Sequence, residues 1–266
     1  MTSHSTHDPI RRFGGVERLY GKTALSHFKK THVIVIGIGG VGSWAVEALA
    51  RNAIGKLTII DMDVVAESNI NRQLPAMTST LGRNKIDVMA ERIQEINPDC
   101  EVTLIDDFIS KDNLEELIDD SANYVIDCID SSRVKAALIA WCKRRKIKII
   151  TLGGAGGQTD PKKIKIADLS NTAHDPLLSK TRKLLRQEYN FSRNDKRRFG
   201  IPCIFSPEHL KYVNLDGEMS NHKPDSSTQA SDLSCAGGMG SSVMVTASFA
   251  FIAVSHVLDR IAKTNH

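Results

Sequence analysis

Short apolar runs alternate with amphipathic stretches along the first 157 residues. His32-Val33-Ile34-Val35-Ile36 predicts a buried strand, and Ser43 to Ala53 an amphipathic helix. Leu57-Thr58-Ile59-Ile60 predicts a second strand, ending in Asp61-Met62-Asp63. Ile86, Met89, Ile93 and Ile96 fall at helical spacing within Arg83 to Asn97, and Asn97-Pro98 stops that helix. Val102 to Ile105, Tyr124 to Asp127 and Ile147 to Thr151 predict three more strands, with helices at Leu114 to Ile118 and Ser132 to Arg145. The alternation implies an α/β, Rossmann-like, doubly wound and mostly parallel sheet with right-handed crossovers.

Regularity ends near Gly153-Gly154-Ala155-Gly156-Gly157. Beyond it, Ile164 to Asp168 predicts a strand, Asp175-Pro176 opens a basic helix-like segment, and Asp216 to Ser234 reads as a mobile polar loop. The expected division is an N-terminal arm and nucleotide-binding core (1–157) and a C-terminal substrate-binding crossover region of the same domain (158–266). No repeat or heptad is present.

Leu233 to Leu258 carries no Asp, Glu, Lys or Arg and is long enough to span a bilayer. Its Gly, Ser and Thr content and His256 favour a helix buried on a sheet, with membrane association as the alternative. At 266 residues, 25% charged and net +4, the chain is an ordinary soluble domain by composition. Cys100, Cys128, Cys142, Cys203 and Cys235 form no CxxC pair, which argues against a disulfide framework or a four-cysteine zinc site and fits a cytoplasmic protein.

Chemistry concentrates after the first strand. Gly37-Ile38-Gly39-Gly40-Val41-Gly42 joins that strand to the following helix, whose N-terminal amides suit a phosphate. Asp61, nineteen residues past Gly42, stands where an acidic residue bonds a ribose. These features support adenosine without separating NAD from ATP. The polar block Ser68-Asn69-Ile70-Asn71-Arg72-Gln73 and Lys85 change that balance. A guanidinium and an ammonium beside the glycine turn suit a triphosphate attacked at its α-phosphorus, which hydride transfer does not need. Within Asp127-Cys128-Ile129-Asp130-Ser131, Asp130 suits Mg2+; Asp127 is as readily structural, and Cys128 reads as a small buried residue.

In this order GxGGVG, Asp61-x-Asp63, Asn69-x-Asn71-Arg72-Gln73, Lys85 and Asp127-x-x-Asp130 resemble the E1-like adenylating superfamily, which includes MoeB, ThiF and the ubiquitin-activating enzymes. Within it the chain is similar to the tRNA threonylcarbamoyladenosine dehydratases. Arg12-Phe13-Gly14-Gly15, Gly37 to Trp44, Ile129-Asp130-Ser131, Gly153 to Gln158 and Val243 to His256 carry that similarity, and the CxxC pairs of MoeB-like and ThiF-like proteins are missing.

The resemblance implies an E1-like C-terminal extension and ATP-dependent cyclisation of N6-threonylcarbamoyladenosine at position 37 of tRNA through an acyl-adenylate. Adenylation of a ubiquitin-like sulfur carrier's C-terminus is the alternative. It further implies ATP and Mg2+, leaving a monovalent cation open, and a link to a cysteine desulfurase and its sulfur acceptor. The nucleotide set would be Gly37, Gly39, Gly40, Gly42, Asp61, Asp63, Asn69, Asn71, Arg72, Gln73, Lys85, Asp127, Cys128, Asp130 and Ser131. Arg72, Lys85 and Asp130 would act on the phosphates, and Cys235 is a weaker catalytic candidate. A homodimer is implied, with Arg12 or Arg18 reaching the partner's γ-phosphate. The basic segment from Lys180 to Arg198, interleaved with Tyr189 and Phe191 and followed by Phe199, is the expected tRNA contact.

Overall fold

The computed structural model describes residues 8–213, 217–221 and 239–263. Its centre is β1 (His32–Ile36), buried at every position. A central strand covered on both faces needs such a continuous apolar run. β1 pairs in parallel with β2 (Lys56–Ile60) on one side and β4 (Tyr124–Asp127) on the other, so Val33 lies between Leu57 and Tyr124. β3 (Glu101–Ile105) extends the first side and β5 (Lys148–Leu152) the second. The sheet therefore switches direction between β1 and β4, where folds of this class open a ligand crevice at the strands' carboxyl ends.

Seven strands form the sheet, in the order β3-β2-β1-β4-β5-β7-β6. β6 (Lys165–Asp168) is the edge strand and runs antiparallel to β7 (Pro202–Phe205), which itself lies parallel to β5. The sequence pattern does not show β7. Its run is short and starts at Pro202, and pairing with two neighbours rather than local pattern makes it a strand. Segments on both sides of residue 157 thus share one sheet.

One face is covered by α3 (Gly42–Arg51), α4 (Lys85–Ile96), α2 (Lys22–Lys30) and α8 (Val243–Ala262), around Leu49, Ile59, Met89, Phe249 and Val257. The other is covered by α6 (Ser132–Arg145) and α7 (Pro176–Glu188), around Ile34, Leu138, Leu185 and Phe199. α1 (Pro9–Tyr20) is likewise not marked by the pattern; Asp8 caps it through the amides of Ile10 and Arg11, and Phe13 anchors it. A single turn, α5 (Leu114–Leu117), precedes β4.

By length and composition α8 is a helix able to cross a membrane. In this fold it lies against α3 and α2 and buries Phe249, Ala250, Ala253, Val254 and Val257. The alanines let the helix axes approach closely.

Candidate functional site

The turn after β1 is built for close approach. Gly37 has φ +86, and a Cβ on Gly42 would stand 1.8 Å from the Gly37 carbonyl oxygen. A Cβ on Gly40 would press on Thr246 at 3.2 Å and Arg72 at 3.4 Å. No side chain caps α3, so its N-terminal end is left for a ligand.

Asp61, at the end of β2, fixes this turn. Its Oδ2 accepts the Ile38 amide at 2.5 Å and its Oδ1 the Asp63 amide at 2.8 Å. Burial holds its carboxyl above the usual range, opposed by those two amides and by Lys85. Lys85 opens α4 with its ammonium buried, 2.8 Å from the exposed carboxylate of Asp63. One chain of contacts therefore runs from the glycine turn through Asp61 and Asp63 to Lys85.

Arg72 approaches from the opposite rim. Its carbonyl accepts the Trp44 indole N–H at 3.0 Å and the Thr246 hydroxyl at 3.4 Å. Its guanidinium donates to the Ser68 carbonyl at 2.7 Å and Asn71 Oδ1 at 3.0 Å. Arg72 and Asn71 line a cavity of about 450 Å³ with Glu67, Ile70, Met239 and Ser241. Asn71 also donates to the Ser241 carbonyl at 2.8 Å. Asn69 is structural in its visible contacts, since its side chain accepts the Ala66 amide and its carbonyl the amides of Arg72 and Gln73. Gln73 is buried beside Gly39, and among the described residues its Oε1 has no hydrogen-bond donor.

A Cβ on Gly37 would meet the Cys128 carbonyl oxygen at 3.0 Å, so the loop after β4 lies against the turn. Asp130 and Ser131 stand exposed beyond it. Burial pushes the Cys128 thiol up to about 12, as expected of an inert cysteine. Asp127 is wholly buried, 2.8 Å from the equally buried Lys135, and accepts the Thr151 hydroxyl at 2.6 Å and the Ile129 amide at 3.1 Å. These contacts fit the structural of its two readings, a brace at the strand end. Nothing in the sequence marks Lys135 as its partner except its place in the next helix.

Asp175 is a further residue that the sequence does not single out. Its carboxylate caps α7 at the Leu178 amide and accepts the Gly154 amide at 2.8 Å, fixing the glycine-rich run after β5. Cys235 lies outside the described residues, as does most of the expected polar loop.

The expected tRNA segment separates into two kinds of residue. Phe199 is buried, Phe191 meets it edge-on at 5.0 Å, and Tyr189 packs on the same core. Phe199 is therefore not free to stack on a base, while Tyr189 and Phe191 are half-buried. Arg182 bonds Thr172, while Arg186 pairs with Asp195 at 2.9 Å and lies over Phe199. Lys180, Lys183, Arg193, Lys196, Arg197 and Arg198 remain exposed. Among the described residues no three His, Cys, Asp or Glu side chains converge on a point.

The ThiF family model matches residues 15–266. The chain is 52% identical to the tRNA threonylcarbamoyladenosine dehydratase of Haemophilus influenzae over 253 residues, which is 95% of this chain and 94% of that one. The solved structure of TcdA (CsdL) superposes with a TM-score of 0.86 at 48% identity, covering 95% of this chain and 94% of that chain. The Escherichia coli tRNA N6-threonylcarbamoyladenosine dehydratase in complex with ATP gives 0.83 at 46% identity, with the same coverage.

Proposed function

We propose that this chain, which belongs to the ThiF family, is an ATP-dependent tRNA threonylcarbamoyladenosine dehydratase. The threonyl carboxylate of the modified adenosine attacks the α-phosphorus of ATP and pyrophosphate leaves. A neighbouring nucleophile of the same modified base then attacks the acyl-adenylate, closes a five-membered ring and expels AMP. The carboxylate oxygen departs on AMP, so ATP takes up the elements of water. Closure is intramolecular, and proximity supplies much of its rate.

The observation that carries this reading is the contact chain from the Ile38 amide through Asp61 and Asp63 to Lys85. It supports placing a positive charge beside a phosphate-sized turn. The turn and the amides of α3 cradle the phosphates, and Asp61 takes the ribose. Arg72 and Lys85 neutralise charge that grows on the α-phosphate during attack. Asn71 and Gln73 line the pocket.

Mg2+ fits this residue set. With few protein ligands converging, phosphate oxygens and water must fill most of its coordination, which is its usual mode. Asp130 supplies the carboxylate, and the ion when bound offsets phosphate charge. We place the enzyme in the cytoplasm as a homodimer. Arg12 is already held by the carbonyls of Glu95 at 2.7 Å and Ile96 at 3.0 Å, whereas Arg18 is exposed on α1. Arg18 is therefore the arginine for the partner's nucleotide. Transient contact with a cysteine desulfurase and its sulfur acceptor belongs to the same reading.

The test is exchange of labelled pyrophosphate into ATP with Mg2+. The expected acceptor is tRNA carrying the threonylcarbamoyl adenosine. Exchange supported instead by a small diglycine-tailed protein would reassign the carboxylate.

A further inference from the structure

The end of the sheet opposite the nucleotide site holds a second cavity, of about 540 Å³. Lys143, Lys146, Lys148, Arg260 and Lys263 line it, with His256 and Tyr124, and no carboxylate is among the lining residues. Tyr124 and Lys148 are the first residues of β4 and β5, so this is the amino-terminal edge of the sheet. The strand length places it about 15 Å from the crevice at the carboxyl ends.

Three explanations compete for so many cations. Dipole compensation accounts for some of them, because α6 and α8 both end here. Each helix C-terminus carries only about half a negative charge, less between them than the exposed Lys146, Lys148 and Lys263 bring. Internal contacts account for Lys143, whose ammonium donates to the Phe199 carbonyl and lies 5.2 Å from the Phe191 ring, and for Arg260, which also interacts within the protein. Asp259, the acidic residue on the neighbouring position of α8, acts on Tyr20 and His256 and is not among the residues lining the cavity. Lys146, Lys148 and Lys263 are exposed, and Lys148 lies on a strand, where no dipole calls for it. Three exposed lysines around one cavity with no carboxylate in its lining suit an anionic ligand.

The hydrogen bond between Lys143 and Phe199 also decides the shape of the surface. It joins the basic stretch Lys143 to Lys148 to the stretch Arg193 to Arg198, which are remote in sequence. Arg197 and Arg198 immediately precede the Phe199-Gly200 corner, and Gly200 lines the cavity. Arg145, in the first of these stretches, is already paired with Glu115 and Asp120, so the exposed lysines lining the cavity carry the charge left to be neutralised. Of the anions in the proposed reaction, the tRNA backbone is the one with charges spaced over such a surface.

We infer that this cavity takes the phosphodiester backbone of the tRNA substrate, at a distance from the reacting base. This rests on the reading of the chain as a tRNA-modifying adenylating enzyme. Backbone phosphates position a nucleic acid without reading its sequence. A remote grip of that kind would present one base to the crevice while leaving the crevice free for ATP.

The experiment uses the full-length enzyme and a variant with Lys146→Asn, Lys148→Gln and Lys263→Gln. Asn suits position 146, where φ is +59. Affinity for tRNA carrying the threonylcarbamoyl adenosine is measured against salt by direct binding, and cyclisation gives KM and kcat. For every phosphate that the protein no longer neutralises, the salt dependence becomes shallower by roughly 0.7–0.9 in log–log slope. We expect a slope lower by about two, a KM for tRNA at least about tenfold higher, and kcat and the KM for ATP within about twofold. A second variant, Lys148→Glu alone, moves KM the same way without altering position 146.

An unchanged slope and KM in both variants overturns the inference. So does inorganic tripolyphosphate binding that the triple variant abolishes while tRNA binding keeps its wild-type slope, because the cavity then holds a small anion. Failure of the functional reading is distinguishable. The wild-type enzyme would then show no tRNA-dependent pyrophosphate exchange, and the direct binding measurement would still test the cavity.

Discussion

β2 and β4 flank the same central strand, both run into aspartates, and each aspartate cluster has a lysine from the following helical region. Asp63 and Lys85 stand 2.8 Å apart, as do Asp127 and Lys135. The difference lies in solvent. Asp63 is 58% exposed and faces the crevice, whereas Asp127 and Lys135 have no exposure at all. The first pair can exchange its partner for a phosphate. The second can exchange nothing without leaving a bare charge in the core. Equal geometry in the two pairs therefore leaves one open to a ligand, as proposed for the nucleotide, and makes the other a buried brace.

The strongest challenge to this contrast is Lys135→Met. It strands the Asp127 carboxylate in the core and should destabilise the fold by about 3–5 kcal/mol, read by denaturant unfolding. A destabilisation below about 1 kcal/mol would show that the pair is not a brace.

Lys85→Met should behave in the opposite way. Its partner is exposed, so stability should change by less than about 1 kcal/mol. The rate of adenylate formation should fall about 10²–10³-fold, because the α-phosphate is no longer stabilised in the transition state. Equal changes of stability in the two lysine variants would erase the distinction.

A double variant sharpens it further. Asp127→Leu with Lys135→Met removes both buried charges and should recover most of the stability that Lys135→Met alone removes, since paired apolar replacements are often neutral. Thr151 and the Ile129 amide are left without an acceptor, which limits the recovery.

The smallest expected effect concerns Asp61. Its carboxyl should titrate above the ordinary 3.8 in the free protein, read by carbon-13 shifts. An acid with a raised native pKa binds its proton more tightly when folded. Its stabilising contribution is thus present below pH 3.8 and disappears as pH rises through the raised value. A midpoint at or below 3.8 would mean that the Ile38 and Asp63 amides outweigh burial.

Much of the fold is legible because its central strands are unbroken apolar runs and its helices keep their period. The glycine turn is legible too, since only glycine fits at positions 37 and 42. β7 is not, because a four-residue run opening with proline has no strand signal until β5 and β6 supply its partners. The aromatics at Tyr189, Phe191 and Phe199 have the spacing of stacking platforms for RNA, yet Phe199 is buried in the core and the other two pack against it half-buried, because sequence records spacing without direction.

The amino-acid sequence alone determined the strand–helix alternation, the phosphate turn and the identity of the charged groups near it. Local sterics and hydrophobic period act over a few residues, and a linear chain displays them directly. Only the tertiary structure decided which aspartate faces water and which lysine it meets, that Thr246 of α8 closes on the glycine turn, and that Lys143 meets the distant Phe199. Those outcomes depend on desolvation and on contacts between segments far apart in the chain, and neither exists until the sheet is assembled.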